Sequence, residues 1–378
     1  MPIPYEAFPS PAFVLDENRL RQNLALIDKV QKAAGVSIIL AFKGFAMWSV
    51  FPIVREYLPG ATASSLHEAR LCFEEMGVKA HTYAPVYREA EFEELLSYSS
   101  HLTFNSLSQF QRFQGRVLQH GQVSMGLRVN PEYSDVETAL YNPADPHSRL
   151  GELEEALKDG LPDTIEGLHF HVLCESDADA LEKTLEAFEK RFGHLLPQIK
   201  WVNMGGGHLM TRKGYQLDRL IKLLSDFRQK HDLDIILEPG SAIAWQCGEL
   251  VATVLDIVER RGIQTAILDV SFTAHMPDTL EMPYVPAIQG AVPPREELPS
   301  YRMGGTSCLA GDYMAAYSFE KPLQVGDRIV FEDMIHYTMV KTTTFNGVPH
   351  PSICLWTQDG QAKVIRSFGY ENFKNRLS

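Results

Sequence analysis

Val36-Ser-Ile-Ile-Leu-Ala-Phe-Lys43-Gly-Phe-Ala-Met-Trp48 is the stretch on which the reading of the whole chain turns. Seven apolar or small residues precede a lysine, and a glycine follows it. The β-branched content and the short length predict a buried strand. An ammonium at the end of such a strand is costly to desolvate unless it is partnered. Desolvation also lowers the amine's pKa, which suits an amine that must attack a carbonyl. The competing reading is a lysine that snorkels to the surface from a strand end.

Outward from that strand the pattern alternates. Ala12–Leu15 predicts a strand, with Asp16 capping a helix whose Leu20, Leu24, Ile27 and Val30 fall at helical spacing. Strand–helix pairs then recur: a helix from Ser49 to Tyr57, a strand and capped helix over Gly60–Arg70, and strands at His81–Pro85, His101–Asn105, Val123–Pro131, Glu166–Val172, Trp201–Met204 and Leu233–Gly240. Strict alternation predicts a parallel sheet, and about eight units in roughly 220 residues suit a closed (β/α)8 barrel. After Gly240 the texture changes. Val251–Val258, Thr265–Val270, Arg328–Phe331, Tyr337–Thr342 and Ser352–Trp356 read as strands between Gly and Pro turns, with almost no helical pattern. The expected division is a barrel over 18–246 and a mainly β domain from 1–17 with 247–378. His275–Ser300 is Pro-rich and reads as a long, functional loop.

Composition narrows the function classes. The chain has 378 residues and a formal net charge of −13, which disfavours nucleic acid and anionic membranes and is compatible with a cationic small molecule. Five scattered cysteines without a CxxC pair fit a reducing cytoplasm. No apolar run approaches a membrane span, and no signal peptide is evident.

Barrel chemistry sits at the C-terminal ends of the strands. The polar residues there are Lys43, Ser64, Ser65, Arg128, Asn130, His169, His171, Gly205–Gly207 and Glu238. A glycine triple after a strand suits backbone N–H groups closing on a phosphate, or a plain tight turn. Glu238 has three readings: metal ligand, base, or acceptor for a protonated ring nitrogen. His169 and His171 share one strand face, which raises a metal-dependent barrel hydrolase. In such enzymes the HxH precedes the lysine, whereas here Lys43 comes first. Downstream, Gly304-Gly-Thr-Ser-Cys308-Leu-Ala-Gly-Asp312 puts one Cys and one Asp on a Gly-rich loop, which is either chemistry or an ordinary turn with an inert thiol.

In this order the motifs resemble the fold-type III pyridoxal-phosphate decarboxylases, a group that includes ornithine and diaminopimelate decarboxylases. The wording AFKGFAMWSVFP (41–52), ATASSLHEARL (61–71), HFHVLCE (169–175), NMGGGH (203–208), LDVSFTAHMPD (268–278) and GGTSCLAGD (304–312) is similar, within that group, to the carboxynorspermidine decarboxylases. The resemblance spans nearly the whole chain. It implies an alanine-racemase-type barrel with a second β domain, pyridoxal 5′-phosphate as cofactor, and a cytoplasmic homodimer with shared active sites. It makes Lys43 the cofactor-bearing lysine, stacks His171 on the cofactor ring, and places Arg128 in support. Gly205, Gly206 and Gly207 hold the phosphate, Glu238 meets the pyridine nitrogen, and Tyr337 touches the phosphate. Cys308 and Asp312 enter the neighbouring subunit's site, with Cys308 giving a proton to carbon. The implied reaction converts carboxynorspermidine to norspermidine and carboxyspermidine to spermidine. Ornithine, arginine and diaminopimelate decarboxylases and a non-catalytic cofactor carrier are the rival readings. Ornithine and diaminopimelate decarboxylases usually read Glu-Pro-Gly-Arg, the guanidinium helping to hold the phosphate and, in the diaminopimelate enzymes, serving the far carboxylate, where this chain has Ser241. Asp278, Glu281 and Asp312 are the carboxylates available to a polycationic substrate, unless the first two are merely solvated loop charges.

Overall fold

The computed structural model describes residues 2–136, 142–281 and 283–378. The chain forms two compact units, Asn23–Ile243 and Met1–Gln22 with Ala244–Ser378.

The Asn23–Ile243 unit is a ring of parallel strands. Its hydrogen-bonded order runs Ser37–Ile38, Asp234–Leu237, Trp201–Asn203, Gly167–His169, Ser124–Arg128, Ser99–Phe104, Ala80–Tyr83, Ala61–Ala63 and Leu40–Ala41. The first and last members are two halves of one stretch. Ser37–Ile38 pairs with Ile236–Leu237, and Leu40–Ala41 pairs with Ala61–Thr62. At the junction Ile39 donates to Leu237 O at 2.9 Å and Leu40 donates to Gly60 O at 3.0 Å. The opening strand of the sequence reading therefore closes the barrel from both sides. Counted as one, it makes eight strands among the described residues.

Alternation along each strand decides what fills the ring. Trp201 projects inward and packs with Ile39 and Ile236, and its Nε1 donates to Ser124 Oγ at 2.9 Å. A Cβ on Gly167 would lie 2.0 Å from this indole, and one on Gly126 only 2.3 Å from it. Two glycines on neighbouring strands thus make the space that one tryptophan occupies. Two residues further along these same strands come His169, Arg128 and Asn203, one layer nearer the C-terminal mouth. Helices cover the outside. Asp177 accepts from Ala180 N at 3.0 Å to start Ala178–Phe192, which buries Leu181, Leu185, Phe188 and Phe192.

The second unit is a mainly antiparallel sheet in the order Ala291–Val292, Tyr313–Phe319, Ser300–Gly304, Ile263–Leu268, Gly248–Arg260, Ala12–Asp16, Ser352–Trp356 and Ala362–Arg366. Arg328–Phe331 also pairs with the long Gly248–Arg260 strand. A register shift between Val254 and Asp256 bends that strand. Phe8, Ala12, Val14, Val251, Cys354 and Trp356 form a core cluster of this unit.

The structure departs from the sequence reading in this unit. Tyr337–Thr342 is not a strand. Tyr337 has φ 52°, and Met339–Lys341 is a 3-10 turn. Its Tyr, Thr and Val content reads as extended, but its backbone bonds close locally, Thr338 N to His336 O and Lys341 N to Thr338 O. Tyr313–Phe319 is a strand that its Met-Ala-Ala run concealed, and Tyr370–Leu377 is a helix where almost none was expected. The His275–Ser300 loop contains the helix Pro277–Glu281 and the strand Ala291–Val292.

Candidate active site

Four strand ends of the barrel bring Lys43, Arg128, His171 and Glu238 to one mouth. Gly44 follows Lys43 because the chain there passes against the end of the last strand: a Cβ on Gly44 would sit 2.7 Å from Gly240 Cα. Lys43 Nζ lies 3.0 Å from His171 Nε2. Its side chain is open to water at the mouth yet ringed by protein. Desolvation holds its pKa below the ordinary lysine value, with Glu238 opposing and Arg128 reinforcing.

The hydrogen bonds determine the protonation pattern. Gly206 N–H donates to His171 Nδ1 at 2.7 Å. With Nδ1 an acceptor, the neutral imidazole carries its proton on Nε2. That N–H faces Lys43 Nζ, which accepts only as the free amine. Burial, reinforced by the Arg128 guanidinium, keeps His171 neutral by pushing its pKa well below the usual value. Both sides of the contact therefore point to a nucleophilic amine.

Glu238 is buried, and burial raises its pKa against the pull of Asn203 and Lys43. Asn203 Nδ2 donates to Glu238 Oε1 at 2.7 Å, while Asn203 Oδ1 accepts Gly205 N–H at 2.9 Å. The other carboxylate oxygen lies 3.9 Å from His169 Nε2. His169 is buried and kept neutral by burial, and neither of its ring nitrogens has a hydrogen-bond partner. Arg128 donates to His171 O at 3.1 Å and stacks 4.8 Å above the Tyr83 ring.

The glycine triple is more crowded than its motif suggests. Gly205 and Gly207 have φ 66° and 89°. Added Cβ atoms at Gly205, Gly206 and Gly207 would lie 2.6, 2.4 and 2.2 Å from Phe170 O, Glu238 O and Leu173 O. The N–H groups of Gly205 and Gly206 are engaged inside the protein. The triple is glycine because its backbone packs directly against the neighbouring strand ends, where no Cβ fits. Ser64, Ser65 and Asn130 shape turns and helix starts: Ser65 Oγ accepts Glu68 N–H, and Asn130 Oδ1 accepts Glu132 N–H. Among the described residues no group of three or more His, Cys, Asp or Glu is placed to hold a metal.

The second unit presents the other expected residues. Cys308 is exposed on the loop between Ser300–Gly304 and Tyr313–Phe319, its backbone N–H donating to Asn346 Oδ1 at 3.0 Å. Asp312 is buried and accepts from Phe272, Thr273 and Ser307 N–H at 2.7, 3.2 and 3.0 Å, so it shapes this loop. Gly305 has no side chain because a Cβ would lie 2.4 Å from the Asp312 carboxyl carbon. Glu281 pairs with Lys341. Asp278 is buried, not a solvated loop charge. Its Oδ2 accepts from Tyr284 Oη at 2.9 Å and Thr338 Oγ1 at 2.7 Å, while its Oδ1 has no partner. Tyr337 is the positive-φ residue of the neighbouring turn.

Sequence reading missed Asn203, Tyr83 and Thr62. Each lies on the inward alternation, two residues from a residue that was noticed or that fills the barrel, and that period was the available signal.

The family model for the pyridoxal-dependent decarboxylases, described by its C-terminal sheet domain, covers residues 12–335. The chain belongs to the pyridoxal-dependent decarboxylase family. It is 54% identical to a carboxyaminopropylagmatine decarboxylase of Synechocystis sp., over 98% of this chain and 96% of that protein. It is 44% identical to a carboxynorspermidine/carboxyspermidine decarboxylase of Campylobacter jejuni, over 98% and 99%. The crystal structure of carboxynorspermidine decarboxylase from C. jejuni, complexed with norspermidine, superposes with a TM-score of 0.92 at 43% identity, covering 98% of this chain and 100% of that one. Diaminopimelate decarboxylase from Helicobacter pylori shares the fold, with a TM-score of 0.85 at 19% identity, over 98% of each chain.

The residues at the mouth fit the family's cofactor, pyridoxal 5′-phosphate. An accessible amine, an adjacent imidazole, a buried carboxylate and a turn without side chains are the four groups an aromatic aldehyde phosphate with a basic ring nitrogen needs.

Proposed function

We propose that this decarboxylase removes the carboxylate of a carboxylated polyamine, converting carboxynorspermidine to norspermidine and carboxyspermidine to spermidine. The observation that carries the reading is the mouth of the barrel, where Lys43 faces the His171 N–H and a buried Glu238 has no lysine or arginine in ion-pair contact among the described residues. Full-length similarity to enzymes named for these substrates supports the choice among amino acids.

When bound, the cofactor supplies the electron sink for the pair left as the carboxylate departs. The chain's own residues do the rest. Lys43 Nζ is the anchoring amine, and His171 covers the ring. Glu238 would accept the ring N–H, a charge-assisted bond that would place a cation in contact with this buried carboxylate. Gly205–Gly207 would meet the phosphate with backbone alone, with Arg128 and Tyr337 in support. Cys308 Sγ delivers the proton that replaces CO2 on carbon. Its loop is exposed, with Leu309 beside it, and we assign it to the site of a second copy in a homodimer. Five free cysteines support a cytoplasmic setting.

Of the three acidic candidates, Asp278 is the one with a buried, unpartnered oxygen, and it is our choice for a substrate cation. Asp312 and Glu281 have their partners within the unit. Ser241 in place of the arginine used for a diacid agrees with this choice. A second reading, carboxyaminopropylagmatine, is favoured by the relative at 54% identity. It keeps the carboxylated aminopropyl end and puts a guanidinium at the other.

Purified protein loaded with cofactor should be assayed on carboxynorspermidine, carboxyspermidine, carboxyaminopropylagmatine and diaminopimelate, with products identified by mass. We expect kcat/KM on the carboxylated polyamines at least 100-fold above that on diaminopimelate. A preference for diaminopimelate overturns the substrate class, and a tenfold preference for the guanidinium substrate selects the second reading.

A further inference from the structure

We infer that Asn203 is a positioning residue for the reaction: it aims and charges the Glu238 carboxylate. The inference rests on the reading of Glu238 as the acceptor for the cofactor's ring N–H, and it gives a role to the first residue of the NMGGGH stretch, to which neither the motif nor that reading assigns one.

Asn203 ends the strand Trp201–Asn203 on the inward alternation set by Trp201, and it is buried. An amide side chain has one acceptor and one donor end, and which is which must be fixed by its neighbours. Here the neighbours leave no choice. Gly205 N–H is a donor, so the atom 2.9 Å from it is the amide oxygen. The amide NH2 then faces Glu238, and Glu238 Oε1, 2.7 Å away, accepts from it. The backbone repeats the link, with Glu238 N–H donating to Gly205 O at 2.7 Å. Asn203, the Gly205 turn and Glu238 are therefore one closed hydrogen-bonded unit.

The charge argument gives this unit its purpose. A buried carboxylate tends to take up a proton, and a neutral carboxylic acid cannot pair with a cationic ring nitrogen. A hydrogen bond donated to the carboxylate favours its ionised form. Asn203 is the side-chain donor seated on Oε1, with Thr62 also contributing. His169 cannot substitute for it, because it stands 3.9 Å from the other oxygen and is held neutral. Asn203 also fixes the carboxylate's direction, since the NH2 it offers is itself locked by the Gly205 bond.

Asn203→Asp separates this role from a merely structural one. It keeps an oxygen for Gly205 N–H, so the turn stays closed, but it replaces the donor to Glu238 with a like charge. Asn203→Ala removes both bonds. The variants should be compared with Glu238→Gln and with the double variant Asn203→Ala/Glu238→Gln. Four quantities are measured: turnover, KM, the apo protein's Kd for pyridoxal 5′-phosphate by fluorescence quenching, and melting temperature. We expect Asn203→Asp to melt like the wild type, to lose at least tenfold in kcat with KM changed less than threefold, and to bind the cofactor at least fivefold more weakly. Asn203→Ala should cost at least tenfold in kcat in the wild-type background and less than twofold on top of Glu238→Gln, because two residues acting through one contact are not additive. Wild-type kcat and cofactor affinity in Asn203→Asp overturn the inference and leave Asn203 as a turn-holding residue. Equal losses in both backgrounds overturn it as well. Wild-type kcat in Glu238→Gln itself overturns the reading of Glu238 on which the inference stands.

Discussion

At the scale of single residues, the site is a set of electrostatic imbalances that a bound cofactor would relieve. Lys43 is driven toward the free amine by desolvation, and His171 meets it with an N–H. Glu238 is driven toward the acid by burial, against the longer-range pull of Lys43 and Arg128. Perturbed pairs of this kind concentrate where catalysis needs them. A ring nitrogen that gains a proton beside Glu238 restores the ion pair. Glu238→Gln keeps the shape and a hydrogen-bonding oxygen but cannot carry the charge. It is expected to retain bound cofactor while kcat falls at least 100-fold, about 3 kcal/mol in barrier. Turnover within threefold of the wild type in steady-state assays would show that the charge is not used.

The elements explain both what was legible in the sequence and what was not. Barrel strands were readable because several apolar runs are followed by a capped helix start, as at Ser65 before Leu66–Leu71 and Ser106 before Leu107–His120. The residues at strand ends followed from the fold class, so Lys43, Arg128, His171 and Glu238 were named as candidates from the sequence alone. The role of Asn203 was not, because Glu238 is brought beside it only by the pairing of their two strands. The role of Asp312 was not either: three backbone N–H groups converge on it only once the 304–312 loop has folded back on Phe272. In the β unit, Tyr313–Phe319 lost its strand signal to alanines and regained it from pairing with Ser300–Gly304, a tertiary override of local propensity. The barrel's interior supplies a test at this scale. Gly167→Ala puts a Cβ within 2.0 Å of the Trp201 ring. It should cost about 1–3 kcal/mol through overpacking and lower the thermal midpoint by several degrees in a melting experiment. An unchanged midpoint would mean that Trp201 does not fill the barrel as described.

At the scale of the whole molecule, the account requires two copies. The loop carrying Cys308 is exposed beside Leu309, Tyr313 and Phe345, apolar side chains that a monomer gains nothing by showing to water. If this loop completes the site of a second copy, inactive Lys43→Ala and inactive Cys308→Ala proteins should rescue each other after dissociation and reassociation. Random pairing would give about a quarter of wild-type activity, because half the dimers are mixed and each holds one intact site. No recovery after mass spectrometry has shown mixed dimers would place both residues in one chain's site, or Cys308 outside it. The central claim, that the mouth of the barrel is built around Lys43 to hold the cofactor, has a more direct test. The protein loaded with pyridoxal 5′-phosphate is reduced with borohydride, digested, and mapped by mass spectrometry. The account predicts the reduced cofactor's mass on the peptide carrying Lys43, at close to one per chain. Label on a different lysine, or an unlabelled Lys43 in protein that has bound the cofactor, would contradict it.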